Sequence, residues 1–77
     1  MILRLENEPV IDNLRHYSND LVAKLRELLL AGAEACPDPH RKSFYDVMNG
    51  SRMFYIHIAP SGKVLFLATW LAPVLQV

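Results

Sequence analysis

An α+β domain is the fold class this chain predicts: one long amphipathic helix packed on a three-stranded antiparallel meander, with Ile2 to Leu5 as an optional short N-terminal strand. Three observations carry it. A helical period runs from Val10 to about Ala35. An Asn49-Gly50 turn signal follows, and then a Pro60-Ser61-Gly62 loop signal, each flanked by β-branched and aromatic residues. Seventy-seven residues make one domain, 1–77.

The helix is expected to start at Glu8-Pro9, because proline suits a first helical position whose N–H has no partner anyway. Asp12 then sits in the first turn, where the helix dipole favours negative charge. Ile11, Leu14, Leu21, Leu25 and Leu28 fall on one stripe, with Ser18 and Gly32 in the two missing positions. Val22, Leu29 and Ala33 widen that stripe. A break near Ser18 or Asn19 is the alternative, since either residue can cap a second helix. Pro37 ends the helix, because the residue before a proline avoids helical geometry.

Strand one is expected over Ser43 to Met48, strand two over Arg52 to Ala59 and strand three over Lys63 to Leu71. With Asn49-Gly50 as the two central turn residues, Met48 pairs with Ser51, Val47 with Arg52 and Tyr45 with Phe54. The second loop pairs Ala59 with Lys63, Ile58 with Val64, Ile56 with Phe66 and Phe54 with Ala68. Strand side chains alternate between faces. One face then carries Tyr45, Val47, Phe54, Ile56, Ile58, Val64, Phe66, Ala68 and Trp70, with Arg52 as its one charge, and the helix covers it. The other carries Phe44, Asp46, Met48, Met53, Tyr55, His57, Leu65, Leu67, Thr69 and Leu71.

That second face is also largely apolar, and one helix cannot cover both. A chain this short buries only about 60% of its unfolded surface and is marginal without reinforcement. Cys36 is the lone cysteine, which excludes an internal disulfide. One Cys and three scattered His do not compose a tetrahedral zinc site. Oligomerisation is what is left, and a 52% hydrophobic composition favours it. The expected assembly is a homodimer; the alternatives are another protein as partner, or the N-terminal arm and the tail APVLQV folded across the face, a tail too short to cover it alone. Its interface residues are Phe44, Met53, Tyr55, His57, Leu65, Leu67 and Leu71.

Eight Lys plus Arg balance eight Asp plus Glu. Nucleic-acid binders normally carry a basic excess, so nucleic acid is disfavoured as a partner. No run approaches the roughly 18 apolar residues of a membrane span, and the N-terminus lacks the features of a secretory signal. An unpaired cysteine suits a reducing compartment, so the cytoplasm is the expected location.

No residue set composes a catalytic or cofactor motif: there is no GxSxG, HExxH, CxxC or glycine-rich phosphate loop. The expectation leans away from an enzyme and implies no cofactor and no metal. Asp46 and His57 share a face, but the turn register sets them about 13 Å apart, too far for a proton relay. Cys36 and His40, with Asp38 between them, lack a second pair to complete a metal site. Cys36 near the negative end of a helix is a poor nucleophile and reads as a small buried residue. Tyr55 and His57 are same-face neighbours and offer a third reading, a small-molecule pocket between subunits. His40, Arg41, Lys42, Arg52 and Lys63 are the available phosphate contacts.

The strand rhythm FYDV…RMFYIHI…GKVLFLATW, over residues 43 to 71, resembles the sheets of RelE/ParE-type toxins. The resemblance implies an RNA-directed domain and is one of pattern. Those toxins are basic and carry a helical hairpin, whereas this chain is neutral with one expected helix. No catalytic set carries over residue by residue.

Overall fold

The computed structural model describes residues 1–3, 5 and 8–72. Six regular elements follow in order: β1 (Ile11–Asn13), α1 (Asn19–Leu30), β2 (Ala35–Pro37), β3 (Phe44–Asn49), β4 (Arg52–Ile58) and β5 (Val64–Leu71). The strands form one mixed sheet in the order β1-β5-β4-β3-β2. Only the β1–β5 pairing is parallel. β1 and β2 are the two edges, so the helix between them carries the chain across one face. The expected long helix on a three-stranded meander is therefore wrong. The chain forms a five-stranded mixed sheet with one short helix.

Both ends of the helix explain the shortening. Residues 10–18 hold Asp12, Asn13 and Ser18, whose short polar side chains compete for backbone hydrogen bonds and favour turns. The Asn13 side chain brackets the backbone of Tyr17: its Nδ2 donates to the Tyr17 carbonyl at 2.7 Å, and its Oδ1 accepts the Tyr17 N–H at 2.9 Å. His16 adopts a φ of 55°, which no helix passes through. Ile11 gains more as a strand: Val10 C=O accepts from Val64 N–H, and Ile11 packs against the core. The helix proper starts after Ser18, whose side chain accepts from Leu21 N–H.

At the other end Gly32 takes a φ of 72° and stops the helix. The Ala33 N–H bonds the Leu28 carbonyl and the Gly32 N–H bonds the Leu29 carbonyl, the paired bonds of a Schellman cap. The chain leaves that cap directly into β2, which pairs Ala35 with Val47 and Cys36 with Asp46. Ile2 forms a single antiparallel bridge to Glu34, and Ala35 N–H donates to the Met1 carbonyl. Of the optional strand Ile2 to Leu5, Arg4 lies outside the described residues; Leu3 and Leu5 pack against the core. Pro73, which is expected from its missing N–H to stop strand pairing after Leu71, also lies outside them.

The hairpin registers differ from expectation in two ways. Gly50, at φ 59°, and Ser51 are the central residues of the first turn, so Asn49 pairs with Arg52 and Val47 with Phe54. That slips the pairing by two residues and leaves every side chain on its expected face. The second difference changes faces. Ile58 pairs with Val64 and Ile56 with Phe66, as expected, but Tyr55 then pairs with Ala68. Leu67 is the extra residue of a β-bulge. Beyond it, Thr69 and Leu71 lie on the helix-covered face, while Ala68 and Trp70 lie on the other. Arg52 confirms the flip, because its Nη1 donates to Thr69 Oγ1 at 3.3 Å.

The core sits between α1 and one sheet face. Leu25 and Leu29 meet Ala35, Val47, Phe54, Ile56, Val64 and Phe66. Tyr17 stacks on Phe66 at 4.8 Å between centroids, and Phe54 tilts against Phe66 at 5.7 Å. Such aromatic pairs add about 0.5–1.5 kcal/mol beyond the area they bury.

Candidate functional site: the uncovered sheet face

The face away from the helix is ordered in three rows, read from the strand pairing. The first row holds Phe44, His57, Leu65 and Asp12; the second holds Cys36, Asp46, Tyr55 and Ala68; the third holds Met48, Met53 and Trp70. Its β2–β3 side is polar and aromatic, and its β5 side is apolar. Trp70 and Met48 are 41% and 39% exposed, large values for residues of this kind inside a sheet.

The polar side is built around the β2–β3 connection. Asp38 accepts the His40 N–H at 2.8 Å, a local turn that aspartate favours. Its second oxygen accepts the Tyr55 hydroxyl at 2.6 Å. The Tyr55 bond comes first in holding the Asp38 carboxyl below the usual carboxylate range, and the His40 bond adds to it. The same bond, chiefly, pushes the Tyr55 phenol up. Arg41 lays its guanidinium 4.3 Å over the Phe44 ring. Phe44 in turn stacks with His57 at 4.3 Å and with Tyr55 at 5.7 Å. His57 Nδ1 lies 3.0 Å from the Ser43 carbonyl. A carbonyl only accepts, so Nδ1 carries a proton and donates it there. Ser43 has a left-handed φ of 67°, and its carbonyl also accepts the Ile58 N–H.

Asp46 is the unsatisfied member. Its Oδ1 is shut off from solvent and has no hydrogen-bond donor. Burial, reinforced by the Asp38 charge, pushes its carboxyl up. The corrected register sets Asp46 opposite Tyr55 and diagonal to His57. Their backbones are therefore about 7–8 Å apart, not the expected 13 Å. The two side chains still do not bond each other: His57 is held by Ser43, and Asp46 Oδ1 has no partner.

Of the expected interface residues, Phe44, Met53, Tyr55, His57 and Leu65 share this face. Leu67 occupies the bulge, and Leu71 turns to the opposite face because of it. Trp70 takes its place, a residue the uninterrupted alternation assigns to the core. Cys36 is exposed on the edge strand rather than buried, because the helix ends before it. The phosphate candidates divide. His40, Arg41 and Lys42 lie in the β2–β3 connection, and Lys63 stands in the β4–β5 turn at the same end of the sheet. Arg52 stands at the opposite end, about 20 Å away by strand rise, on the helix side. Among the described residues no group of three or more His, Cys, Asp or Glu is placed to hold a metal ion. No described helix is long and apolar enough to cross a membrane.

Asp38 and Ser43 are site residues that pattern reading missed. The Asp-Pro-His run around Asp38 does signal an aspartate-capped turn. Nothing in the sequence marks Ser43. No family model, curated protein or solved structure matches this chain.

Proposed function

We propose that the chain is a non-enzymatic interaction module whose working surface is the uncovered sheet face, and that its first partner is a second copy of itself. One observation supports this above the others. Only eight hydrophobic residues are buried among those described, in a chain that is 52% hydrophobic. Met48, Met53 and Trp70 form one row, and Leu65 stands two rows away, on the face that no described element covers.

The size of the face suits a small dimer. Three strands of six to eight residues and two of three residues, spaced about 4.8 Å apart, project on the order of 400 Å², and more once side-chain relief is included. A standard interface takes about 800 Å² from each partner. Patches of several hundred Å² of apolar surface on soluble proteins mark interaction sites. The lone exposed thiol of Cys36 fits a reducing, cytoplasm-like compartment. The RNA-directed alternative loses support from Arg52, which stands apart from the other four candidate cations.

Leu65→Glu places a charge on this face, between His57 and Asp12, without entering the core. Wild-type protein is expected to sediment as a dimer and the variant as a folded monomer. A wild-type chain that stays monomeric at the highest concentration reached, with an unchanged sedimentation coefficient for Leu65→Glu, removes the proposal.

A further inference from the structure

The turn that joins β3 to β4 is the one place where the sequence puts an asparagine directly before a glycine. Asn49 closes β3 opposite Arg52, and Gly50 and Ser51 are the turn residues between them. Gly50 is exposed at a φ of 59°, and no atom lies within 4 Å of where its side chain would stand. Among the described residues its N–H has no hydrogen-bond partner, and neither has the Asn49 side-chain amide.

This pair carries its own chemistry. A backbone nitrogen that gives up its proton to hydroxide attacks the side-chain carbonyl carbon of the residue before it. The bond from the Gly50 nitrogen to Asn49 Cγ closes a cyclic imide, and the amide nitrogen leaves as ammonia. Water then adds to one of the two imide carbonyls. Breaking the bond to Cγ gives aspartate, and breaking the bond to the main-chain carbon gives isoaspartate. Nothing is oxidised or reduced, and water is the co-reactant. Glycine offers the least hindered nitrogen for this attack. Asn7, Asn13 and Asn19 precede Glu8, Leu14 and Asp20, whose side chains crowd it.

We propose that Asn49-Gly50 is a self-modifying site, where water converts the asparagine to aspartate or isoaspartate at a rate set by opening of the hairpin end. The gate follows from the fold. Extended antiparallel backbone has a ψ of about +135°, which turns the next residue's nitrogen away from Cγ. Asn49 is such a strand residue, so its pairing with Arg52 must come apart before the ring closes. That pair is the last of the ladder, and fraying there leaves the core folded.

The two products act differently on the fold. Aspartate at position 49 puts a carboxylate directly across from Arg52, at a spacing where opposite charges attract. The Arg52 guanidinium bonds Thr69 Oγ1 and, among the described residues, has no carboxylate partner. Isoaspartate routes the main chain through the side-chain carbons, which lengthens the turn and breaks the pairing with Arg52. Asn49 and Arg52 share the helix side of the sheet, so the reaction stands apart from the self-association proposed above.

The experiment ages the full chain in warm, mildly alkaline buffer beside a peptide of residues 46–53. Peptide mapping by mass spectrometry follows each asparagine, and chromatography separates aspartate from isoaspartate. Conversion is expected at Asn49 ahead of Asn13 and Asn19, about 10-fold slower than in the peptide, as a small local opening cost implies. A full chain still intact at Asn49 after the peptide is consumed many times over overturns the site. Conversion as fast as in the peptide overturns the gate. Asn49→Gln, whose longer side chain closes a ring far more slowly, should stay unmodified at 49; acid gained there at the wild-type rate also overturns the mechanism. Asn49→Asp is expected to unfold in urea at or above the wild-type midpoint, and the isoaspartate fraction below it. A midpoint for Asn49→Asp well below wild type overturns the Arg52 pairing.

Discussion

Replacing Gly32 with alanine separates the two architectures by the sign of one number. In an uninterrupted helix from Val10 to Ala35, Gly32 is an interior glycine, and alanine there stabilises by about 1 kcal/mol. In the structure Gly32 holds a φ of 72° at the Schellman cap. A side chain in that left-handed region costs about 1–2 kcal/mol. Alanine recovers about 0.4–1 kcal/mol by restricting the unfolded chain. The added Cβ meets only Ile2 Cγ2 at 3.4 Å, an ordinary contact with an exposed side chain, so no clash enters. The net expectation is a loss of between about 0 and 1.6 kcal/mol, against a gain of about 1 kcal/mol in the uninterrupted helix. Urea unfolding followed by circular dichroism measures it, at one fixed protein concentration because self-association adds to apparent stability. Gly32→Asn should lose less than Gly32→Ala, since asparagine tolerates positive φ. A Gly32→Ala variant more stable than wild type by about 1 kcal/mol refutes the cap and with it the short helix.

Two further outcomes follow from the same geometry. Asn13→Ala removes both bonds that hold the Tyr17 backbone and should cost about 1–3 kcal/mol in urea unfolding, whereas Asn13→Asp, which keeps only the acceptor, should fall between; equal stability of all three discards the bracket. Tyr55→Phe removes the largest cause of the Asp38 depression, so the Asp38 carboxyl should titrate higher by carbon NMR. The depressed carboxyl contributes stability that is present above its unfolded pKa and is lost as pH falls through its folded value, so the gap between wild type and Tyr55→Phe should narrow on acidification through that range. Asp46 runs the other way: its raised carboxyl costs stability at neutral pH and the cost is relieved as pH falls. An Asp38 titration that does not move in Tyr55→Phe counts against the hydrogen bond.

The three long strands were legible because their signals are local. Asn49-Gly50 and Pro60-Ser61-Gly62 mark reversals within a few residues, and alternation then assigns Val47, Phe54, Ile56, Val64 and Phe66 to the core, where all five are fully buried. The slip in the first turn did no harm, because a shift of two residues preserves parity. The bulge at Leu67 moved a face assignment, since one extra residue exchanges Trp70 with Leu71, and no glycine marks it. The helix misled for a different reason. Ile11 and Leu14 fit the apolar stripe equally well whether the backbone there is helical or extended. Choosing between the two depends on β5, more than fifty residues away, offering Val64 N–H to the Val10 carbonyl.

The sequence by itself determined the turns, the strand alternation and the apolar excess, which are all near-neighbour properties. Tertiary structure alone decided that β1 and β2 widen the sheet at both edges, that Trp70 faces outward, and that Asp46 lies beside His57 without touching it. Those outcomes depend on pairings between distant segments, whose energies no local pattern records.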